Sequence, residues 1–394
     1  MHLVNEVLLL YTERKDFSRQ GNNPPEQGKS SLLHLVSRDI VEHILFIPNI
    51  FLQEKLHFRS FEGGAEMKTE KIIIWEPGEY CYPAAFGFVP NLRAYLHQDE
   101  KQRPCILVIP GGGYRMVSPT EGKIVAEKFY ELGYQAFVGT YTTNPAGIAP
   151  LKTQPLRDLS RMVRLIRRNA EAFHINAEAV VLCGFSAGAH LCGSLCVHGK
   201  DIPDDNPAYS GISNRPAGAI LSYPVITAGK YAHRDSFTAL LGEEADDGEL
   251  DWMSLEKQVD KNTAPMFLWQ TVTDELVPVE NSYLMADALK NAGIPFEHHV
   301  FPAGKHGLSL ADARWASEDY GDPYTMEQTF CVTKALKASG GKLPEPLQNL
   351  LAFLAGQEDE PKERKEAVEN VAIWPVLADQ WIRTQLLRGR DDKK

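Results

Sequence analysis

Residues 180–196 read VVLCGFSAGAHLCGSLC. Inside them Gly184, Phe185, Ser186, Ala187 and Gly188 form a Gly-x-Ser-x-Gly pentapeptide. The run 179–183 ahead of it is apolar, as a short buried strand requires. Behind it Ala187, Ala189, Gly193 and Ser194 are small and fall at helical spacing. Strand, sharp turn and helix in that order are the setting of a nucleophile elbow, which lifts a serine above the end of a sheet. The glycines have a steric reason. The serine backbone is strained there, and its neighbours must be nearly free of side chain so that strand and helix can approach.

Working outward, strand-like and helix-like segments alternate. Upstream, residues 71–75 are a β-branched run closed by Glu76, Pro77 and Gly78, residues 91–96 alternate, and residues 105–109 are apolar throughout. An all-apolar strand is expected where both faces of a sheet are covered. Residues 120–132 carry Ile124, Val125, Phe129 and Leu132 and stop at Gly133, a helix with its C-cap. A strand is expected over 135–142. A long amphipathic helix is expected over 155–173, with Leu156, Leu159, Val163, Leu165 and Ile166 inward and several arginines outward. Downstream, strands are expected over 218–226, 264–272 and 296–301, and a helix over 279–291 closed by Gly293. This alternation predicts an α/β fold, a mostly parallel doubly wound sheet with helices on both faces. Residues 321–370 read as a loop-rich insertion, with the charge run 358–366 a solvated surface. Residues 371–388 form a C-terminal helix whose Ile373, Trp374, Leu377, Trp381 and Ile382 cover the sheet.

A serine hydroxyl is a weak nucleophile at neutral pH. It needs a histidine to take its proton and an acid to orient that histidine. After an elbow of this kind the chain order is serine, acid, histidine. Asp274 follows the strand 264–272, and Glu275 is the neighbouring alternative; the turn past the strand favours Asp274. His306 lies in Gly304, Lys305, His306, Gly307, on a loop after the last strand. The chain has 12 histidines, and His174, His190, His198, His298 and His299 read as structural by their places in or near strands and helices. An oxyanion hole needs backbone N–H groups aimed at developing negative charge. Ala187, at the start of the elbow helix, supplies one. The loop Pro110, Gly111, Gly112, Gly113, Tyr114 supplies the rest. That loop lacks the further glycine of a dinucleotide fingerprint and the lysine of a phosphate-binding loop.

Composition sets limits. The 394 residues are 43% apolar and 24% charged, ordinary for a globular protein, and the net charge of -11 argues against a nucleic-acid or anionic-membrane surface. No apolar run approaches the roughly 20 residues of a membrane span. The start, MHLVNEVLLLYTERK, lacks the basic region and cleavage site of a signal peptide. The six cysteines are scattered. Cys192 and Cys196, four apart, read as packing of the elbow helix, since no further ligand completes a metal site. Reduced thiols without an export signal predict a cytoplasmic protein. Residues 1–66 differ in character, and Glu62, Gly63, Gly64, Ala65, Glu66, Met67 is what a purine-rich ribosome-binding site ahead of a start codon encodes when read through. We therefore expect residues 1–66 to be an N-terminal extension absent from the natural protein, which would begin at Met67. A genuine appendage is the rival, and N-terminal sequencing decides between them.

IPGGGY (109–114), CGFSAGAHL (183–191), DELVPVENS (274–282) and GKHGLSLA (304–311) together resemble the α/β-hydrolase superfamily. Within it they are similar to bacterial esterases of the acetyl-xylan-esterase and feruloyl-esterase-like group, often linked to xylanases. Pro110 stands where lipase-type relatives have a histidine, which departs from that branch. The resemblance implies one α/β-hydrolase domain over 67–394, with Gly112 and Gly113 as loop donors and a cap-like insertion at 231–262. It implies a serine esterase acting without metal or cofactor on short acyl esters, acetyl first, of sugars or oligosaccharides. No nucleic-acid or membrane partner is expected, and a homo-oligomer is compatible with it. Tyr114 and Trp252 are expected near the substrate. Trp252, with Ser236, Phe237, Asp251 and Met253, lines the pocket or packs the cap, and the resemblance leaves that choice open. The rivals are a serine peptidase of the same fold, which usually needs a large extra domain, and a catalytically silent small-molecule binder, which usually loses the serine or histidine.

Overall fold

The computed structural model describes residues 67–359 and 365–387. The expected extension at 1–66 and most of the charge run at 358–366 lie outside them. Eight strands make one sheet in the order β1-β2-β4-β3-β5-β6-β7-β8. They are β1 Lys68–Ile73, β2 Asn91–Leu96, β3 Arg103–Ile109, β4 Gln135–Thr140, β5 Ile175–Phe185, β6 Gly218–Ser222, β7 Met266–Thr271 and β8 Phe296–Phe301. β2 pairs antiparallel with β1 and β4, and all pairs from β4 onward are parallel. The doubly wound, mostly parallel arrangement is the one that alternating elements impose. β4 and β7 are buried along their whole length and β3 from Cys105 onward, which is why residues 105–109 read as an unbroken apolar run.

Helices cover both faces. On one side lie α2 Gln154–Arg168 and α3 Ala187–His198; α1 Lys123–Glu131 lies on the other, each packed into its own core. α4 Arg234–Leu241 and α5 Asp247–Trp252 form the segment expected as a cap, and α6 Glu280–Ala292 follows β7. The C-terminal helix behaves as its stripe predicts. Trp374 and Trp381 are buried, and Trp374 stacks on Trp269 of β7 with ring centroids 5.4 Å apart. Ile373 is the exception and faces out.

One expectation fails. Residues 321–370 are not loop-rich: they carry α7 Glu327–Ala338 and α8 Glu345–Asp359. Val332, Leu336, Leu347 and Leu351 close a small core with Ala146. Gly340 is in the left-handed region, where it separates the two helices rather than marking a long loop. Among the arginines of α2, Arg161 turns inward. Arg161 is 1% exposed; it donates to both oxygens of Asp204 at 2.6 and 2.7 Å and to Glu79 at 2.7 Å. Its guanidinium is sandwiched between Trp75 and Tyr209, 4.2 and 4.3 Å from the ring centroids. Bidentate pairing and aromatic stacking let a planar cation stay buried.

Parallel pairing sets Ile109 against Gly184 and Phe185 against Ser222. The loops after β3, β5, β6, β7 and β8 therefore emerge on one edge. That carboxyl edge is where α/β sheets hold their sites.

Candidate active site

Ser186 sits between β5 and α3 with φ 51° and ψ -118°, a conformation rare for a residue with a Cβ. Such strain costs about 1–3 kcal/mol and persists because the surroundings force it. Its N–H donates to Ser222 O at 3.0 Å, and its carbonyl accepts from Val225 N at 3.2 Å. The glycines are needed for contact as well as for the turn. A Cβ on Gly188 would lie 2.1 Å from Ile109 O, and one on Gly184 would lie 2.5 Å from Gly188 O. Both obstacles are backbone, so no side-chain rotation relieves them.

The partners expected along the chain meet at this serine. His306 Nε2 lies 2.9 Å from Ser186 Oγ, and His306 Nδ1 lies 2.8 Å from Asp274 Oδ2. A carboxylate can only accept, so Nδ1 carries the proton and Nε2 is free to accept from the serine. Asp274 Oδ1 accepts from the N–H groups of Leu276 and Val277 at 3.0 and 2.9 Å, which fixes the carboxylate plane. Glu275, the alternative acid, instead accepts from the backbone N–H of His306 at 3.2 Å and holds the loop. Ser186 and Asp274 are buried, while the His306 ring keeps a small exposed edge.

Gly112 and Gly113, with φ 115° and 62°, follow Gly111, where an added Cβ would lie 2.9 Å from Ser186 Cβ. Their amides and that of Ala187, the first of α3, find no acceptor among the described residues. The free N–H groups of a first helical turn have none a turn earlier.

The two residues expected at the substrate are placed elsewhere. Tyr114 is buried and its O–H lies 2.8 Å from His190 Nδ1. Trp252 stacks on His198, ring centroids 3.9 Å apart, at the far end of α3 from Ser186. Twelve helical residues separate those ends, roughly 18 Å. Phe237 and Met253 are buried against α3 and pack the cap rather than line a pocket.

Three residues at the site carry no sequence signal. His233 stands beside Gly113: a Cβ added there would lie 3.9 Å from its ring and 3.8 Å from Ser236 Oγ. His233 Nδ1 is 2.8 Å from Ser236 Oγ, and burial, then the neighbouring His306, holds its pKa below the ordinary value. Glu121 and Tyr223 lie beneath the serine and histidine loops. Burial pushes the Glu121 carboxyl up, while hydrogen bonds from Tyr223 and Gly111 act against it.

His190 shows what burial does to the elbow helix. Its Nε2 lies 2.9 Å from the Met253 carbonyl, so Nε2 carries the proton and Nδ1 accepts from Tyr114. Burial lowers its pKa to about 4. Above about pH 6.5 the ring is neutral in folded and unfolded chains alike. Below that the unfolded chain binds a proton that the folded chain refuses until about pH 4. Stability is therefore lost across this window as pH falls, by at most about 3 kcal/mol. Urea midpoints across it are expected to fall less for His190→Gln than for the parent. Parallel pH curves would contradict this.

A family model, BD-FAE, matches residues 92–289. Over 265 residues the chain is 55% identical to endo-1,4-beta-xylanase B of Butyrivibrio fibrisolvens, covering 67% of this chain and 42% of that protein. Over 222 residues it is 32% identical to the acetylxylan esterase of Xylanibacter ruminicola, covering 55% of this chain and 43% of that protein. The chain thus spans less than half the length of either relative. Among solved structures it is similar to an acetyl ester-xyloside bifunctional hydrolase from Caldicellulosiruptor lactoaceticus. The TM-score is 0.57 and the identity 36%, over 70% of this chain and 97% of that one. A carboxylesterase from Lactobacillus plantarum matches at a TM-score of 0.55 and 20% identity, over 81% of this chain and 98% of that one. That likeness is one of fold.

Proposed function

The chain belongs to the BD-FAE family and has the α/β-hydrolase fold, and from that premise we propose that it is a serine esterase removing short acyl groups, acetyl first, from xylan-derived sugars and oligosaccharides. The observation that carries the reading is the unbroken relay from Asp274 through His306 to Ser186, at 2.8 and 2.9 Å. Acetyl and xylose chemistry is supported by what two similar proteins are named for, an acetylxylan esterase and an acetyl ester-xyloside hydrolase.

Ser186 Oγ attacks the ester carbonyl carbon as its proton passes to His306 Nε2. Asp274 stabilises the imidazolium so formed. The carbonyl oxygen becomes an oxyanion held by the amides of Gly112, Gly113 and Ala187, each worth roughly 3–4 kcal/mol in the transition state. As the tetrahedral intermediate collapses, His306 gives its proton to the leaving sugar oxygen and an acyl-serine remains. Water, deprotonated by His306, then attacks the acyl carbon, and collapse returns the proton to Ser186.

A panel of acetyl, butyryl and feruloyl esters together with acetylated xylo-oligosaccharides tests the substrate. We expect the highest kcat/KM on acetyl esters, with acetate released from the oligosaccharides in mass spectra. Preference for feruloyl esters, or oligosaccharides left intact, would contradict the proposed substrate.

A further inference from the structure

The loop that offers the oxyanion amides and the loop that carries His306 are far apart in sequence, yet both end on one buried carboxyl group. We propose that Glu121, acting through Tyr223, is a positioning residue that holds the oxyanion loop and the His306 loop in one frame. The proposal rests on the esterase reading above.

Glu121 is 4% exposed and ends the short turn Pro119–Glu121. Its Oε2 accepts the N–H of Gly111 at 2.7 Å, next to the donors Gly112 and Gly113. A Cβ on Gly111 would lie 2.9 Å from Ser186 Cβ and 3.2 Å from that same Oε2, so the carboxyl group packs close under the nucleophile. Its Oε1 accepts the O–H of Tyr223 at 2.7 Å. The Tyr223 oxygen in turn accepts the N–H of Ser309, three residues beyond His306, at 3.1 Å. Ser309 closes the circuit, since its Oγ donates to the carbonyl of Thr120 at 2.8 Å. The Tyr223 ring also meets the His306 imidazole edge-on, centroids 4.9 Å apart.

Each bond here has a fixed direction. Gly111 and Tyr223 donate to the carboxyl oxygens, and Ser309 donates to Tyr223 while the phenol spends its own proton on Glu121. No lysine or arginine pairs with Glu121 among the described residues. Burying a carboxyl group without a cation is costly, and apolar packing could have filled the space. What the carboxyl group adds is geometry. Two acceptor atoms on one rigid plane set the distance between the amides that hold an oxyanion and the imidazole that moves the proton. Acyl transfer needs that distance held to within about 0.5 Å.

Tyr223→Phe, Glu121→Gln and their double variant test this. Phe keeps the ring packing but frees Ser309 and Glu121. Gln can accept one of the two donors but turns its NH2 on the other. We expect each single variant to lower kcat on an activated acetyl ester by on the order of 10²-fold, with KM little changed. The double variant should be no slower than the slower single, because both break one circuit. Parent-level kcat in folded Tyr223→Phe would overturn the inference. So would losses that multiply in the double, or a lowered melting temperature with kcat intact. Should Glu121→Gln fail to fold, Tyr223→Phe decides alone. The parallel Ser186→Ala control separates the two levels: if it is inactive while Tyr223→Phe is unaffected, the esterase reading stands and only this inference falls.

Discussion

Ser186→Ala is expected to lower kcat on an acetyl ester by about 10⁶-fold, the loss seen when the nucleophile is removed from such a relay. The fold should survive. The unusual φ of 51° belongs to the backbone and is shared by any residue with a Cβ. The bonds to Ser222 and Val225 are backbone bonds and stay. Among the described residues the only side-chain bond lost is the one to His306 Nε2, whose ring keeps a small exposed edge. The melting temperature should therefore move by no more than a few degrees, since a loss near 1 kcal/mol corresponds to roughly 2–4 °C in a domain this large. Residual activity, if any, reflects the amides of Gly112, Gly113 and Ala187, which the substitution leaves in place. A folded variant hydrolysing at the parent rate would remove Ser186 from the mechanism.

Asp274→Asn is expected to cost about 10⁴-fold in kcat, the loss known for the same exchange in a Ser-His-Asp relay. The direction follows from the hydrogen bonds. Two backbone N–H groups, of Leu276 and Val277, point at Oδ1. An asparagine must turn its carbonyl oxygen to them, which aims its NH2 at His306 Nδ1. Nδ1 then becomes an acceptor, the ring proton moves to Nε2, and the imidazole can no longer take the proton of Ser186. Glu275→Gln is the contrast. Glu275 only accepts from the His306 backbone, and an amide oxygen does that as well, so kcat should change by less than about tenfold. Steady-state rates of both variants against a common substrate check the pair. Equal losses would assign the orienting role wrongly.

The relay was readable before any coordinates because each member is announced locally. Ser186 has glycines on both sides, while Asp274 follows an apolar strand and His306 follows the last strand, each on a turn. The sheet was readable because parallel strands covered on both faces leave long apolar runs, as in residues 105–109. What was not readable depends on side-chain direction and on convergence across the fold. Tyr114 follows the glycine loop directly, yet its φ of 58° turns the ring into the core toward His190. Trp252 lies in the expected cap but packs on the wrong end of α3. Arg161 is one of five arginines on an amphipathic helix, and the helix pattern alone does not tell that Asp204, Glu79 and two aromatic rings close on this one. Glu121 and Tyr223 are about a hundred residues apart, and no short pattern links them. The helices within 321–370 were masked by prolines and paired glycines, which here start and separate helices.

The central claim is that Ser186 forms a covalent acyl-enzyme. Its most direct test is stoichiometric labelling with a fluorophosphonate, followed by peptide mapping. The account predicts that label accumulates on Ser186 alone and that esterase activity falls in proportion. Label on any other residue with matching loss of activity, or full activity in protein labelled at Ser186, would contradict it.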